Sequence, residues 1–385
     1  MKRYLAAFLA LVLLLTSVAV IASAAEGKGL QRDEETGKYY YVKPDGTRVK
    51  GWYHSEKGEN GEDSYWDDQW YYGEDDGYLT EGWKQIGGDW YYFWPEMDTT
   101  SWYDQEKDLV YLFSESGAWT GISTNQTGWV QFGNKWYYVY SETYGDNNEY
   151  KWAYFYSNGN YPIGDKVYIF KNCVMQDNGW VDLKGINRTN WYYANSNGEA
   201  ATGWKKIDGT WYYFGKWGRM YQDTMYWDWT EDGTKLNGVY AFDKSGAMIV
   251  SQWHKETWTD EEGNNYTDWL YMGADGAAKT GWFQVGGKWY YSGESGWLWM
   301  DAWVDDAAGN WYYLDESGAM VTGWYKNEDG EWLYFKTDGA QVKSDWVMDG
   351  DSWYYMDENG NMVKNCTLTI DGIEYKFAAN GEWMP

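Results

Sequence analysis

Histidine, proline and cysteine are nearly missing from this chain: two His, four Pro and two Cys among 385 residues. His54 and His254 have no His or Cys partner at metal-ligand spacing, so no metal site is expected. With four prolines and no Ser/Pro-rich stretch there is no obvious linker, which predicts one continuous array. The even cysteine count would invite a disulfide in an exported protein. Cys173 and Cys366, however, lie many repeats apart. A bridge needs Cα atoms within roughly 7 Å, so two unpaired thiols are expected. Lys and Arg (31) are far outnumbered by Asp and Glu (59), for a formal charge of −28. Such a balance argues against nucleic acid or bare anionic membrane as a partner and suits a cationic one. Leu, Ile and Val are scarce beyond the first 24 residues, so a conventional aliphatic core is not on offer.

Tryptophan and tyrosine take their place, with 32 and 40 copies against 11 Phe. The tripeptide Trp-Tyr-Tyr occurs eight times, beginning at Trp70, Trp90, Trp136, Trp191, Trp211, Trp289, Trp311 and Trp353. A leading Trp recurs at 282, 303, 324 and 346, a period of 21 to 22 residues, with Cys366 expected in the next such slot. Units this small cannot fold alone and must stack. Within a unit, two aromatic runs flank Asp-Gly or Gly-Gly, as in Trp204-KKI-Asp208-Gly209-Thr210-Trp211. That is a hairpin signal, because the tight primed turns need positive φ. Alternation puts Trp311 and Tyr313 on one face and Tyr312 on the other, so both faces are aromatic and each hairpin needs a neighbour. The expected fold is all-β: a repeat solenoid of stacked β-hairpins of about 20 residues each, with terminal caps.

Lys2 and Arg3 precede an apolar run from Leu5 to Ile21 and the small residues Ala22-Ser23-Ala24. Residues 1–24 therefore read as a secretory signal peptide, a retained anchor being the other reading. Its removal takes the charge from −28 to −30, since it carries Lys2 and Arg3 and no acid. Residues 25–385 form the array: a half-repeat at 37–50, degenerate repeats at 139–179 and a closing cap at 367–385. No cysteine for a lipid and no sorting tail is visible, so attachment to a cell would be non-covalent. Acidic insertions at 56–68 and 260–265 do not match a calcium loop and read as solvated turns. Paired acids such as Asp305-Asp306 carry no specific catalytic signal.

Units such as GW-FQVGGK-WYY and W-VDDAAGN-WYYLDESGAMVTGW resemble the choline-binding, or cell-wall-binding, repeats of Gram-positive surface proteins and phage lysins. Related repeats occur in glucan-binding domains of streptococcal glucosyltransferases and, more loosely, in clostridial toxins. The resemblance implies ligand sites between consecutive hairpins, each an aromatic cage for the trimethylammonium of phosphocholine on teichoic or lipoteichoic acid. Carried onto this chain, the cage pairs are Trp204 with Trp211, Trp282 with Trp289, Trp303 with Trp311 and Trp324 with Trp332. An aromatic of the following unit, such as Trp311, Tyr313 or Tyr334, would complete each. Units with insertions, the 139–179 segment and the slot held by Cys366 are expected to lack cages. The same rings are also needed simply to stack hairpins. The implied function is a secreted, non-enzymatic protein bound non-covalently to the cell wall, without cofactor or metal and without membrane insertion after cleavage. The alternatives are an α-glucan or other carbohydrate binder, and an adhesin or structural stalk. Hydrolases of the family carry a separate catalytic domain, and no stretch here is long enough to be one.

Overall fold

Asp208 and Gly209 both adopt left-handed backbone, with φ of 48° and 86°. That geometry belongs to a primed two-residue turn, whose twist matches that of the strands it joins. It joins Gly203–Ile207 to Thr210–Phe214 in antiparallel register, with Trp204 opposite Tyr213. The same construction recurs along the chain. The computed structural model describes residues 27–60, 64–144, 150–185 and 189–385; the leader expected at 1–24 lies outside them. Among the described residues the protein is all-β, with eleven two-stranded hairpins and four three-stranded sheets. Sheets of this size are not stable alone, so their stacking is what holds the fold. Two compact units result, Met1–Ala201 with Lys216–Arg219, and Thr202–Gly215 with Met220–Pro385.

In the second unit the stacking rule is plain. In seven of its hairpins the residue ending the second strand is an apolar plug, Phe214, Phe242, Met272, Leu314, Phe335, Met356 or Phe377, all buried; in the hairpin of Gly281–Val285 and Lys288–Ser292 the buried Ser292 takes that place. After that residue the chain turns and runs back beside its own hairpin and the preceding one. Val321 N–H donates to Tyr313 O at 2.9 Å within its own repeat, while Met320 N–H donates to Trp289 O at 2.8 Å in the repeat before. Met362 N–H to Trp332 O repeats the link at 2.8 Å. The turn glycine has two reasons to be there. Gly339 has φ 89°, and a Cβ on it would overlap the Met320 sulfur. An L side chain would therefore be both strained and obstructed.

The first unit uses the same hairpins with more apolar fillings. Tyr41, Val49, Tyr71 and Leu79 form one core, and Val110, Leu112, Val130, Tyr137, Val139 and Phe155 belong to another. The residues read as a half-repeat contribute Tyr39–Val42, paired with Gly29–Arg32. The 139–179 segment continues as strands, including Tyr150–Phe155, Gly159–Ile163 and Lys166–Lys171.

One expectation is corrected. Cys366 does not occupy a repeat Trp slot. In the Asp345–Asp349 hairpin, Asp345 pairs with Met356 and Trp346 with Tyr355. In the last sheet Cys366 pairs with Phe377 and Thr367 with Lys376. Thr367 therefore stands where Trp346 stands, and Cys366 matches Asp345. The residues just before, Ser344 and Asn365, share left-handed φ values of 48° and 50°, which fixes the alignment. Both cysteines are free, Cys173 buried and Cys366 exposed.

Candidate aromatic cages

Pairing places the leading Trp of a hairpin diagonally across from the first Trp of its second strand, on one face. Trp204 and Trp211 have ring centroids 6.5 Å apart with planes at 88°. Trp303 and Trp311 are 6.4 Å apart at 73°, and Trp324 and Trp332 are 6.3 Å apart at 90°. Trp282 and Trp289 share a face through the same register, Trp282 opposite Tyr291 and Gln284 opposite Trp289. Perpendicular rings at this spacing form a corner, not a stack. The second-strand Trp of each Trp-Tyr-Tyr copy is 37% to 43% exposed, so each of these rings keeps surface open to solvent.

The third wall comes from the next hairpin, and it is the middle residue of the strand triplet. Tyr240 lies 4.6 Å from Trp204, Tyr312 5.1 Å from Trp282 and Tyr354 4.9 Å from Trp324. Tyr313 and Tyr334 do not fill that place. Each sits 5.0 Å from the leading Trp of its own hairpin, Trp303 and Trp324. Pleat alternation is the reason: the middle residue points back toward the preceding hairpin, while its two neighbours point forward. Against Trp303 and Trp311 the matching residue is Leu333, which pairs with Tyr325. That corner therefore has two rings from the Trp pair and an aliphatic third wall. The Lys343 ammonium lies 5.5 Å from the Trp311 ring centroid.

Further corners stand outside the four expected pairs, some of them in units that carry insertions. Trp253 and Trp269 stand 6.4 Å apart at 86°, with Tyr290 5.0 Å from Trp253, although an acidic loop lengthens that hairpin. Trp52 and Trp70 are 6.1 Å apart at 84°, completed by Tyr91 at 5.0 Å. Trp129 and Trp136 are 6.4 Å apart at 84°, and their third ring, Tyr168 at 4.7 Å, comes from the segment expected to be degenerate. Trp180 and Trp191 repeat the pair at 6.5 Å and 82°. The signal that could have found these is register: insertions lie at hairpin tips and leave the pairing near the plug residue unchanged. Other interfaces are closed by aliphatic residues. Between the hairpin of Thr224–Trp229 with Leu236–Phe242 and the one that follows, Met225, Val239 and Leu270 pack together where rings stand elsewhere.

Burial raises the pKa of the third-wall tyrosines Tyr240, Tyr312 and Tyr354, with nearby acids adding to the effect. Tyr313 is raised further, by burial and then by its hydrogen bond to Asp301. These rings are neutral phenols at physiological pH, with electron-rich faces. Carboxylates stand close: Trp324 Nε1 donates to Asp349 Oδ2 at 2.9 Å. An uncharged aromatic corner inside an acidic surface is an environment for a cation that cannot itself donate hydrogen bonds.

The choline-binding repeat family matches residues 306–346, and the putative cell wall binding repeat family matches 81–93, 127–141, 178–200, 202–220, 280–296 and 344–362. Each of the six latter stretches contains one leading Trp and its partner Trp. Glucosyltransferase-S of Streptococcus mutans serotype c (strain ATCC 700610 / UA159) is 28% identical over 229 residues, 47% of this chain and 15% of that protein. The chain thus spans a small part of that relative's length. Among solved structures, CbpJ from Streptococcus pneumoniae TIGR4 is 22% identical, with 92% of this chain and 100% of that one covered and a TM-score of 0.41. Choline binding protein F from Streptococcus pneumoniae is 23% identical, with 93% and 99% covered and a TM-score of 0.40.

Proposed function

The chain is built of choline-binding, or cell wall binding, repeats, and from that premise we propose that it is a non-enzymatic, exported protein that attaches to choline-bearing wall polymers. The observation that carries this reading is the recurring corner of two perpendicular Trp rings closed by a Tyr of the next hairpin, as in Trp324, Trp332 and Tyr354. A trimethylammonium group carries charge but no N–H, so water-excluding ring faces are its natural partner. Each well-placed ring contributes about 0.5 to 2 kcal/mol. A few rings give a weak single site, on the order of millimolar. A polymer presenting many identical head groups to many corners gains through effective concentration, by roughly 10²-fold or more. Repetition of a weak site is thereby explained, as is non-covalent retention at the wall.

A titration of the protein with choline chloride, following tryptophan fluorescence, tests the reading. Saturable change is expected with choline and with tetramethylammonium, but not with sodium chloride. A flat response to both ammonium salts would sink it. The second reading, a glycan binder, rests on the exposed second-strand Trp faces and on the likeness to a glucosyltransferase over 47% of the chain. Retention on dextran or starch that choline fails to displace would favour it.

A further inference from the structure

Among the described residues, two of the corners carry an added Trp beyond the leading Trp, its partner Trp and the Tyr of the next hairpin. Trp83 and Trp90 stand 6.5 Å apart at 77°, with Tyr111 5.0 Å from Trp83. Trp119 then lies 5.9 Å from Trp83 and 6.2 Å from Tyr111. Together these four bound a cavity of about 290 Å³. In the second unit, Trp346 and Trp353 stand 6.4 Å apart at 87°, with Tyr375 4.9 Å from Trp346. Trp383 lies 6.1 Å from Trp346 and 5.9 Å from Tyr375. The angles agree as closely as the distances: 71° in both units between the leading Trp and the added Trp, 66° and 63° between that Trp and the Tyr.

The added ring arrives by the same route both times. Trp119 pairs with the plug residue Phe113, and Trp383 with Phe377, each from a third strand. In six other repeats the residue paired with the plug is a methionine, among them Met97, Met248, Met320 and Met362, while further repeats carry Leu, Ala or Gln there. Each of those named methionines lies against the turn glycine of a later hairpin: Gly117, Gly276, Gly339 and Gly381. Trp119 and Trp383 instead lie against both the leading Trp of the preceding hairpin and the Tyr that faces it.

We infer that Trp119 and Trp383 make these two four-ring corners the high-affinity sites of the array, filled first by an N-methylated ammonium ligand. The inference rests on the cage reading above and assigns a rank order within it. A fourth indole adds one more cation–π partner, Trp being the strongest of the ring types. It also displaces water, which strengthens the attraction of the other three rings.

Equilibrium dialysis with labelled choline tests it. The unsubstituted chain shows two classes of site: two per chain binding about 2- to 30-fold more tightly than the rest. Trp119→Met and Trp383→Met place at each position the residue other repeats carry there, so folding is retained, which far-UV circular dichroism verifies. Each substitution removes one site from the tight class, and the double variant shows a single class. One class in the unsubstituted chain, or a tight class surviving in the double variant, overturns the inference and leaves the cage reading standing. No saturable choline uptake in any variant overturns both.

Discussion

Trp282 and Tyr312 belong to consecutive hairpins, and their rings meet at 5.1 Å with planes at 65°. The contact both joins two repeats and forms one wall of a corner, so packing and the proposed binding would use the same atoms. The two roles separate by substitution. Tyr312→Phe keeps the ring and loses only the hydroxyl, whose partner is the Asp306 carboxylate at 3.0 Å. Choline affinity at that corner should stay within about twofold. Tyr312→Ala removes the wall and should weaken the same corner by roughly 2- to 30-fold, with a lower melting temperature from the lost packing. Calorimetric titration of the two variants, paired with thermal melts, separates the effects.

Leu333 offers the converse experiment. It holds the place of the third-wall Tyr against Trp303 and Trp311, and other hairpins tolerate Tyr at that place. Leu333→Tyr should convert a two-ring corner into a three-ring one and add one choline site per chain by equilibrium dialysis. The Lys343 ammonium, 5.5 Å from the Trp311 ring, would compete for that face. Adding Lys343→Met should strengthen the new site further. An unchanged stoichiometry in both variants would show that ring count does not govern occupancy.

Much of this architecture is legible in the sequence because its determinants are local. Asp208-Gly209 declares a hairpin, and a Trp-Tyr-Tyr run declares the strand that follows. The pairs Trp204 with Trp211 and Trp324 with Trp332 also emerge, because period-two alternation puts both on one face. What stays hidden is set between repeats. Nothing local shows that Tyr312, and not Tyr313, faces the preceding Trp, since that depends on which side the neighbouring hairpin packs. Thr367, by contrast, lies 21 residues after Trp346, within the period of 21 to 22, whereas Cys366 lies only 20 after it, so the spacing of the repeat and the strand pairing agree on Thr367. Trp119 and Trp383 look like stray aromatics until the third strands that carry them are in place.

Gly339 yields a stability prediction independent of any ligand. Its left-handed φ of 89° and the Met320 sulfur against it oppose a side chain in two separate ways. Gly339→Ala should cost more than the 1 kcal/mol or so of the backbone conformation alone, because Met320 must also move. Met320→Ala should recover part of that added loss when combined with Gly339→Ala, although alone it leaves a cavity. Denaturant melts of the two single variants and the pair would show this non-additivity.

Glu96 sets a pH dependence whose sign can be worked out. Its Oε2 is buried without a hydrogen-bond partner, and burial pushes its pKa up to about 7 from 4.5. Asp98 close by is likewise raised to about 7, by burial and then by Glu96. Between pH 4.5 and 7 the folded chain therefore holds protons that the unfolded chain has released. Stability contributed by these protonated forms is fully present below the unfolded pKa values and is lost as pH rises through about 7. Asp33 acts in the opposite sense in a lower window: Thr36 N–H and the Tyr78 hydroxyl hold its pKa near 2, so its contribution fails only in strong acid. The first unit should accordingly melt at a higher temperature at pH 5 than at pH 8. Glu96→Gln should flatten that difference by making the side chain neutral throughout, with its main stabilising effect at pH 8. A pH 5 to 8 slope identical in the two proteins would show that Glu96 does not carry the effect.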